Sequence, residues 1–121
     1  MRFLPSVFAV AALAGLVAPV VAQDYPNKTV RIVAPFAPGG STDVLTRIVS
    51  QKLYERWGQT VIVDNRVGAS GNIGAEYVAK SAAPDGYTLL MAGAPHAINM
   101  SLFRNLRYDL AKDLAPITLV A

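Results

Sequence analysis

The sequence predicts an α/β fold built on a mainly parallel sheet. Three observations carry this. Short β-branched or apolar runs recur at residues 30–34, 61–64, 87–92 and 117–120. Stretches with helical periodicity separate them. Gly- and Pro-rich segments stand where each run gives way to the next element. Strand, helix, strand, helix, strand is the order that right-handed crossovers fold into a parallel sheet.

The chain of 121 residues opens with Met1 and Arg2, an apolar run at 7–18, and Val20-Val21-Ala22 before polar Gln23 and Asp24. The run is shorter than the roughly 20 residues a spanning helix needs. With small residues at −3 and −1, residues 1–22 read as a secretory signal peptide cleaved after Ala22. Residues 23–121 are the mature part, a single modest α/β lobe placed outside the cytoplasm.

In the mature part, Val30, Arg31, Ile32, Val33 and Ala34 form a buried strand that Pro35 ends. Residues 35–41 are a loop. Val44, Leu45, Ile48, Val49 and Leu53 then recur at helical spacing, which predicts a helix with this apolar face turned to the core. Ser41 or Thr42 caps its start, Asp43 sits in its first turn, and Gly58 stops it. A second strand at 61–64 and a second Gly-rich loop at 65–72 follow. A shorter helix at 73–81 comes next, then a turn at 83–86 with Pro84 setting its φ. A third strand covers 87–92 and a third loop 93–96. Residues 97–106 are a short helix or irregular, and 117–120 form a fourth strand in the core. Ending one residue after a strand, the chain is expected to be truncated.

Composition narrows the function. The net charge is +3 with no run of like charges, which argues against nucleic acid or an anionic membrane surface as partner. There is no cysteine, hence no disulfide or thiolate site, and a single histidine gives poor material for a transition-metal centre. Pro38-Gly39-Gly40-Ser41-Thr42 lacks the Gly-Lys-Ser/Thr ending of a phosphate loop, and Gly68, Gly71 and Gly74 miss the dinucleotide spacing. No G-x-S-x-G elbow surrounds Ser41 or Ser70. Neither a cofactor nor an enzymatic activity is expected.

What remains is binding. In open parallel sheets, ligands sit at the carboxyl ends of the strands. Gly39, Gly40 and Ser41 lie at one helix N-terminus, and Ala69, Ser70, Gly71 and Asn72 at the next. Free N–H groups at two such places would hold a carboxylate without an arginine. A side chain at Gly39 or Gly40 would strain a positive-φ backbone or fill the ligand's volume. The plainer alternative makes them turn glycines. Asp43 either caps its helix or meets a ligand amine or hydroxyl. His96 is a loop or cleft-lining residue. Tyr54 and Trp57 read as packing, and Arg66 as a solvated surface charge rather than an anion partner in the second loop.

The segments Tyr25-Pro26, Pro35-Phe36-Ala37-Pro38-Gly39-Gly40-Ser41-Thr42-Asp43, Val63-Asp64-Asn65-Arg66-Val67-Gly68-Ala69-Ser70-Gly71-Asn72-Ile73-Gly74, Ala83-Pro84-Asp85-Gly86-Tyr87 and Tyr108-Asp109 together resemble the substrate-binding receptors of tripartite tricarboxylate transporters, the Bug proteins. The resemblance covers residue 25 to the end. It implies a two-lobed periplasmic binding-protein fold of type II, of which this chain holds the first lobe. It implies ligand contacts from Phe36, Ala37, Pro38, Gly39, Gly40, Ser41 and Asp43, from Ala69, Ser70, Gly71 and Asn72, and from His96. The implied ligand is a small carboxylate: a di- or tricarboxylate, an amino acid or an aromatic acid. The implied partners are integral membrane transporter subunits, and the receptor is expected to be monomeric. An exported hydrolase and a truncated paralogue without a transport role are the competing readings.

Overall fold

A computed structural model describes residues 24–121. The signal peptide expected at residues 1–22, with its cleavage site after Ala22, lies outside the described residues. Three parallel strands, β1 (Val30–Ala34), β2 (Val61–Asn65) and β3 (Thr88–Leu90), stand in the order β2-β1-β3. Val30 pairs with Val61 and Ala34 with Asn65, while Arg31 and Val33 pair with Thr88 and Leu90. The central strand is the most apolar. Val30, Ile32, Val33 and Ala34 are buried, and Pro35 continues them.

Helix α1 (Ser41–Trp57) connects β1 to β2. It ends as expected: Gly58 takes φ +67° and returns its N–H to Tyr54 O at 2.9 Å. Its start differs, because the cap position is Gly40 rather than Ser41 or Thr42. Its rotation also differs from the expectation. Val44, Leu45 and Ile48 face outward, with Ile48 52% exposed, and the buried residues are Asp43, Thr46 and Ser50. Hydrogen bonds account for this. Ser50 Oγ donates to Val61 O at 2.8 Å, Thr46 Oγ1 to Thr42 O at 2.6 Å, and Asp43 is tied to the end of β2. The Thr46 bond stays inside the helix, but turning the helix about its axis would break the ties of Ser50 and Asp43 to β2, and an unpaired buried polar group costs more than an exposed methyl.

After β2 the chain forms a tight 3₁₀ turn (Ala69–Gly71) that runs into helix α2 (Asn72–Glu76). A wider π-type turn (Tyr77–Ser81) completes the stretch foreseen as one helix, closed by Ala82 N–H to Tyr77 O. Gly74 and Ala75 pack α2 against the sheet: a Cβ on Gly74 would lie 2.8 Å from Pro35 Cβ and 3.0 Å from Arg66 O. Helix α3 (Ala94–Leu102) starts three residues earlier than foreseen, because Gly93 caps it and Pro95 suits its first turn.

No fourth strand forms among the described residues. Ile117 and Leu119 are 75% and 88% exposed. A β-branched run becomes a strand only against a partner edge, and none lies beside this one. At the opposite end of the sheet from the strand C-termini, Tyr25 packs on Trp57 and Tyr87, with ring centroids 5.8 and 5.0 Å apart. Trp57 is thus a packing residue as expected, whereas Tyr54 is 55% exposed and packs little.

Candidate functional site

Because the three strands are parallel, the loops that leave their C-terminal ends gather on one edge. The first loop is shaped by Asp43. Its Oδ2 accepts from Gly39 N–H and Arg47 Nε, each at 2.9 Å, and its Oδ1 accepts from Asn65 Nδ2 at 2.9 Å. The Arg47 guanidinium, then the Gly39 N–H and the Asn65 amide, hold the carboxyl down at about 2. Asn65 also donates to Phe36 O at 3.3 Å, so one amide joins β2, the loop and α1.

This network changes how the first loop can bind. Gly39 N–H is used by Asp43, and Gly40 N–H points to Ala37 O at 3.3 Å. The first intrahelical bond runs from Val44 N to Gly40 O, so the N–H groups of Ser41, Thr42 and Asp43 are the helix-terminal donors. The glycine argument divides as well. Gly39 has φ +84°, whereas Gly40 has φ −75°, and a Cβ on Gly40 would touch only Ala37 O at 3.4 Å. The expected strain therefore applies to Gly39 and not to Gly40. Ala37, Pro38, Gly39, Gly40 and Ser41 are exposed, and Phe36 is half-buried.

The second loop is the more constrained. Gly68, Ala69, Ser70 and Gly71 all have positive φ, at 129°, 47°, 56° and 89°. Left-handed backbone at Ala69 and Ser70 is strained, and it persists only where the surroundings over-determine it. Gly71 N–H closes on Gly68 O at 3.0 Å, and Asn99 Nδ2 donates to Ser70 O at 2.9 Å from α3. Asn99 Nδ2 also reaches Asn72 Oδ1 at 2.9 Å, and the Tyr108 hydroxyl donates to the same oxygen at 2.8 Å. Burial raises the Tyr108 hydroxyl above its usual range. Asn72 thus acts inside the fold, while Ala69 and Ser70 stand exposed above it.

His96 is not a loop residue as expected: it stands in the first turn of α3, beneath the first two loops. The residue is fully buried and its ring lies 5.5 Å from that of Phe36, tilted by 70°. A Cβ on Gly71 would lie 2.9 Å from His96 Nε2 and 3.1 Å from Phe36 Cζ. Phe36 and Gly71, from the first two loops, and His96, from the first turn of α3, therefore meet at one point. Arg66 is not a solvated charge. It pairs with Asp64 at 2.9 Å and lies 3.5 Å over the Tyr77 ring.

Arg47, Asn65, Asn99 and Tyr108 escaped the sequence reading of the site. Asn65 and Tyr108 lie within the motifs quoted above, which was the available signal. Arg47 and Asn99 offered none, since their roles depend on contacts 4 to 29 residues away. A cavity of about 450 Å³ opens behind Tyr108, bordered by Lys80, Arg107 and Lys112, and none of the loop residues line it.

A parallel α/β lobe whose turns converge at the strand C-termini and present main-chain donors there is of the solute-binding type. The family described as tripartite tricarboxylate transporter family receptor matches residues 45–121, and the chain belongs to it. BugT of Bordetella pertussis is 47% identical over 111 residues, covering 90% of this chain and 34% of that protein. MatC of Rhodopseudomonas palustris, solved with bound malate, is 39% identical with a TM-score of 0.72, covering 79% of this chain and 33% of that one. An R. palustris protein solved with adipate is 42% identical with a TM-score of 0.64, over 73% and 29% of the two chains. The chain spans about a third of the length of these relatives.

Proposed function

We propose that this chain is the ligand-contacting first lobe of an extracytoplasmic receptor, which captures a small carboxylate and passes it to the integral membrane subunits of a tripartite tricarboxylate transporter. It is exported by a signal peptide cleaved after Ala22 and works as a monomer in the periplasm, without catalysis, cofactor or nucleic acid. The observation that carries this reading is the meeting of two loops and the start of α3 at Phe36, Gly71 and His96, on the edge where α1 presents its terminal N–H groups. Helix-terminal N–H groups favour anions. Malate and adipate in two relatives are both dicarboxylates and indicate the first ligands to try.

The donors proposed are the N–H groups of Ser41 and Thr42 and those of the Ala69–Ser70 turn. Asp43 contributes by holding the loop, its oxygens being already engaged. Phe36, Ala37, Pro38, Gly39 and Gly40 form the adjoining wall, and Gly71, Asn72 and His96 the floor. Calorimetric titration with malate, adipate and the dimethyl ester of malate tests the reading. Binding of a dicarboxylate and none of the ester supports it. Equal binding of ester and acid contradicts it, because the site is argued to recognise charge.

A further inference from the structure

Among the described residues, one buried side-chain polar atom has no hydrogen-bond partner, and it is His96 Nε2. The other ring nitrogen is accounted for. Gly93 N–H can only donate, and it meets Nδ1 at 3.1 Å, while His96 N–H returns to Gly93 O at 3.0 Å. Nδ1 also lies 3.3 Å from Gly93 O, but the shorter contact comes from an N–H that has no other role to play, so we assign Nδ1 as the lone-pair nitrogen, which in the neutral ring puts the proton on Nε2. Capping α3 explains the position of the ring and leaves its outer N–H unexplained. Buried donors are nearly always satisfied, so an orphan calls for a reason.

The surroundings of Nε2 supply one. The absent side chain of Gly71 leaves only main chain on one side, and the tip of Phe36 lies on the other. Phe36 belongs to an exposed loop, with its carbonyl held by Asn65 at 3.3 Å, and its ring is half-buried. Neither neighbour places an acceptor within hydrogen-bond distance of Nε2. Building on the receptor reading, we propose that His96 is a specificity-determining residue: its Nε2–H donates to an oxygen of the bound carboxylate when the Phe36 ring moves aside. A neutral, directional donor buried in this way would leave a solute without an oxygen at that position facing an unpaired N–H, which discriminates strongly against it.

His96→Asn separates this role from capping, because Asn Oδ1 can still accept from Gly93 N–H while no donor reaches the Nε2 position. His96→Phe removes both. With malate as probe, His96→Asn is expected to weaken binding about tenfold to a hundredfold, with a melting temperature closer to that of the parent than His96→Phe shows. Nitrogen-15 NMR of the parent imidazole supplies a readout that does not depend on the variants folding. It should show a proton on Nε2 and none on Nδ1, and malate should shift the Nε2–H proton downfield. Malate binding that shifts the Ser41, Thr42, Ala69 and Ser70 amides but leaves Nε2–H unmoved would overturn this inference and spare the receptor reading. Failure of the parent to bind either malate or adipate would overturn both.

Discussion

Asn65 Nδ2, at the last position of β2, lies 2.9 Å from Asp43 Oδ1 in the first turn of α1. This bond fixes the end of one strand to the helix that leaves its neighbour, and so sets the distance between the first two loops. Asp43 in turn fixes Gly39 and Arg47. The acid organises the site from beneath, and the ligand-facing donors are the main-chain groups beyond it.

The first prediction concerns pH. Asp43 titrates at about 2, below its ordinary 3.8. A depressed acid contributes stability that is complete above the unfolded value, near pH 4, and is lost as pH falls through the folded value. Melting temperature should therefore fall between pH 4 and pH 2. Asp64, Asp85, Asp109 and Asp113 are also lowered and act in the same direction. Asp43→Asn isolates the share of Asp43: the variant should melt lower at pH 6 and lose less on acidification. Parallel pH profiles for parent and variant would count against the network.

The second concerns glycines. Gly71→Ala places a Cβ against His96 Nε2 and Phe36 Cζ at φ +89°. It should destabilise the fold by about 1–3 kcal/mol. Gly40→Ala meets no close neighbour at an extended φ, and should cost under about 1 kcal/mol, the scale of a changed helix cap. Urea unfolding of the two variants gives the comparison, and the reverse order would contradict the geometry described for the loops.

The third concerns the buried amide. Asn72→Ala strands the Tyr108 hydroxyl and takes one of the two acceptors of Asn99 Nδ2, which keeps Ser70 O, at a cost of about 1–3 kcal/mol for an unsatisfied buried group. Tyr108→Phe should cost about 1 kcal/mol, the typical net worth of one hydrogen bond. The two effects should be non-additive, since the residues touch. Full additivity in a double-mutant cycle would mean that the bond contributes nothing.

The fourth concerns α1. Val44→Gln and Ile48→Gln should each change stability by no more than about 0.5 kcal/mol, as exposed substitutions usually do. Ser50→Ala should cost about 1 kcal/mol through its bond to Val61 O. A loss above 2 kcal/mol in Ile48→Gln would restore the apolar face to the core.

That helix shows where sequence reading reaches its limit. β1, the Gly58 stop and the parallel order follow from local rules: β-branching, an αL glycine, alternation of strand and helix. The rotation of α1 does not, because Asp43 and Ser50 outvote the apolar side chains through partners on β2. Residues 117–120 failed as a strand for the same kind of reason, since pairing is not a local property. At the site, the positions of the loops were legible from their glycines and prolines. The distribution of donors was not: that Gly39 N–H is consumed by Asp43, and that His96 lies beneath Gly71, depend on contacts between separate loops.

The central claim is that main-chain groups of two loops, floored by His96, bind a carboxylate. Backbone amide NMR during titration with malate tests it most directly. The account predicts saturable shifts at Ser41, Thr42, Ala69 and Ser70, with little change around Lys80, Arg107 and Lys112 at the cavity behind Tyr108. Shifts confined to that basic cavity, with the loop amides unmoved, would contradict it.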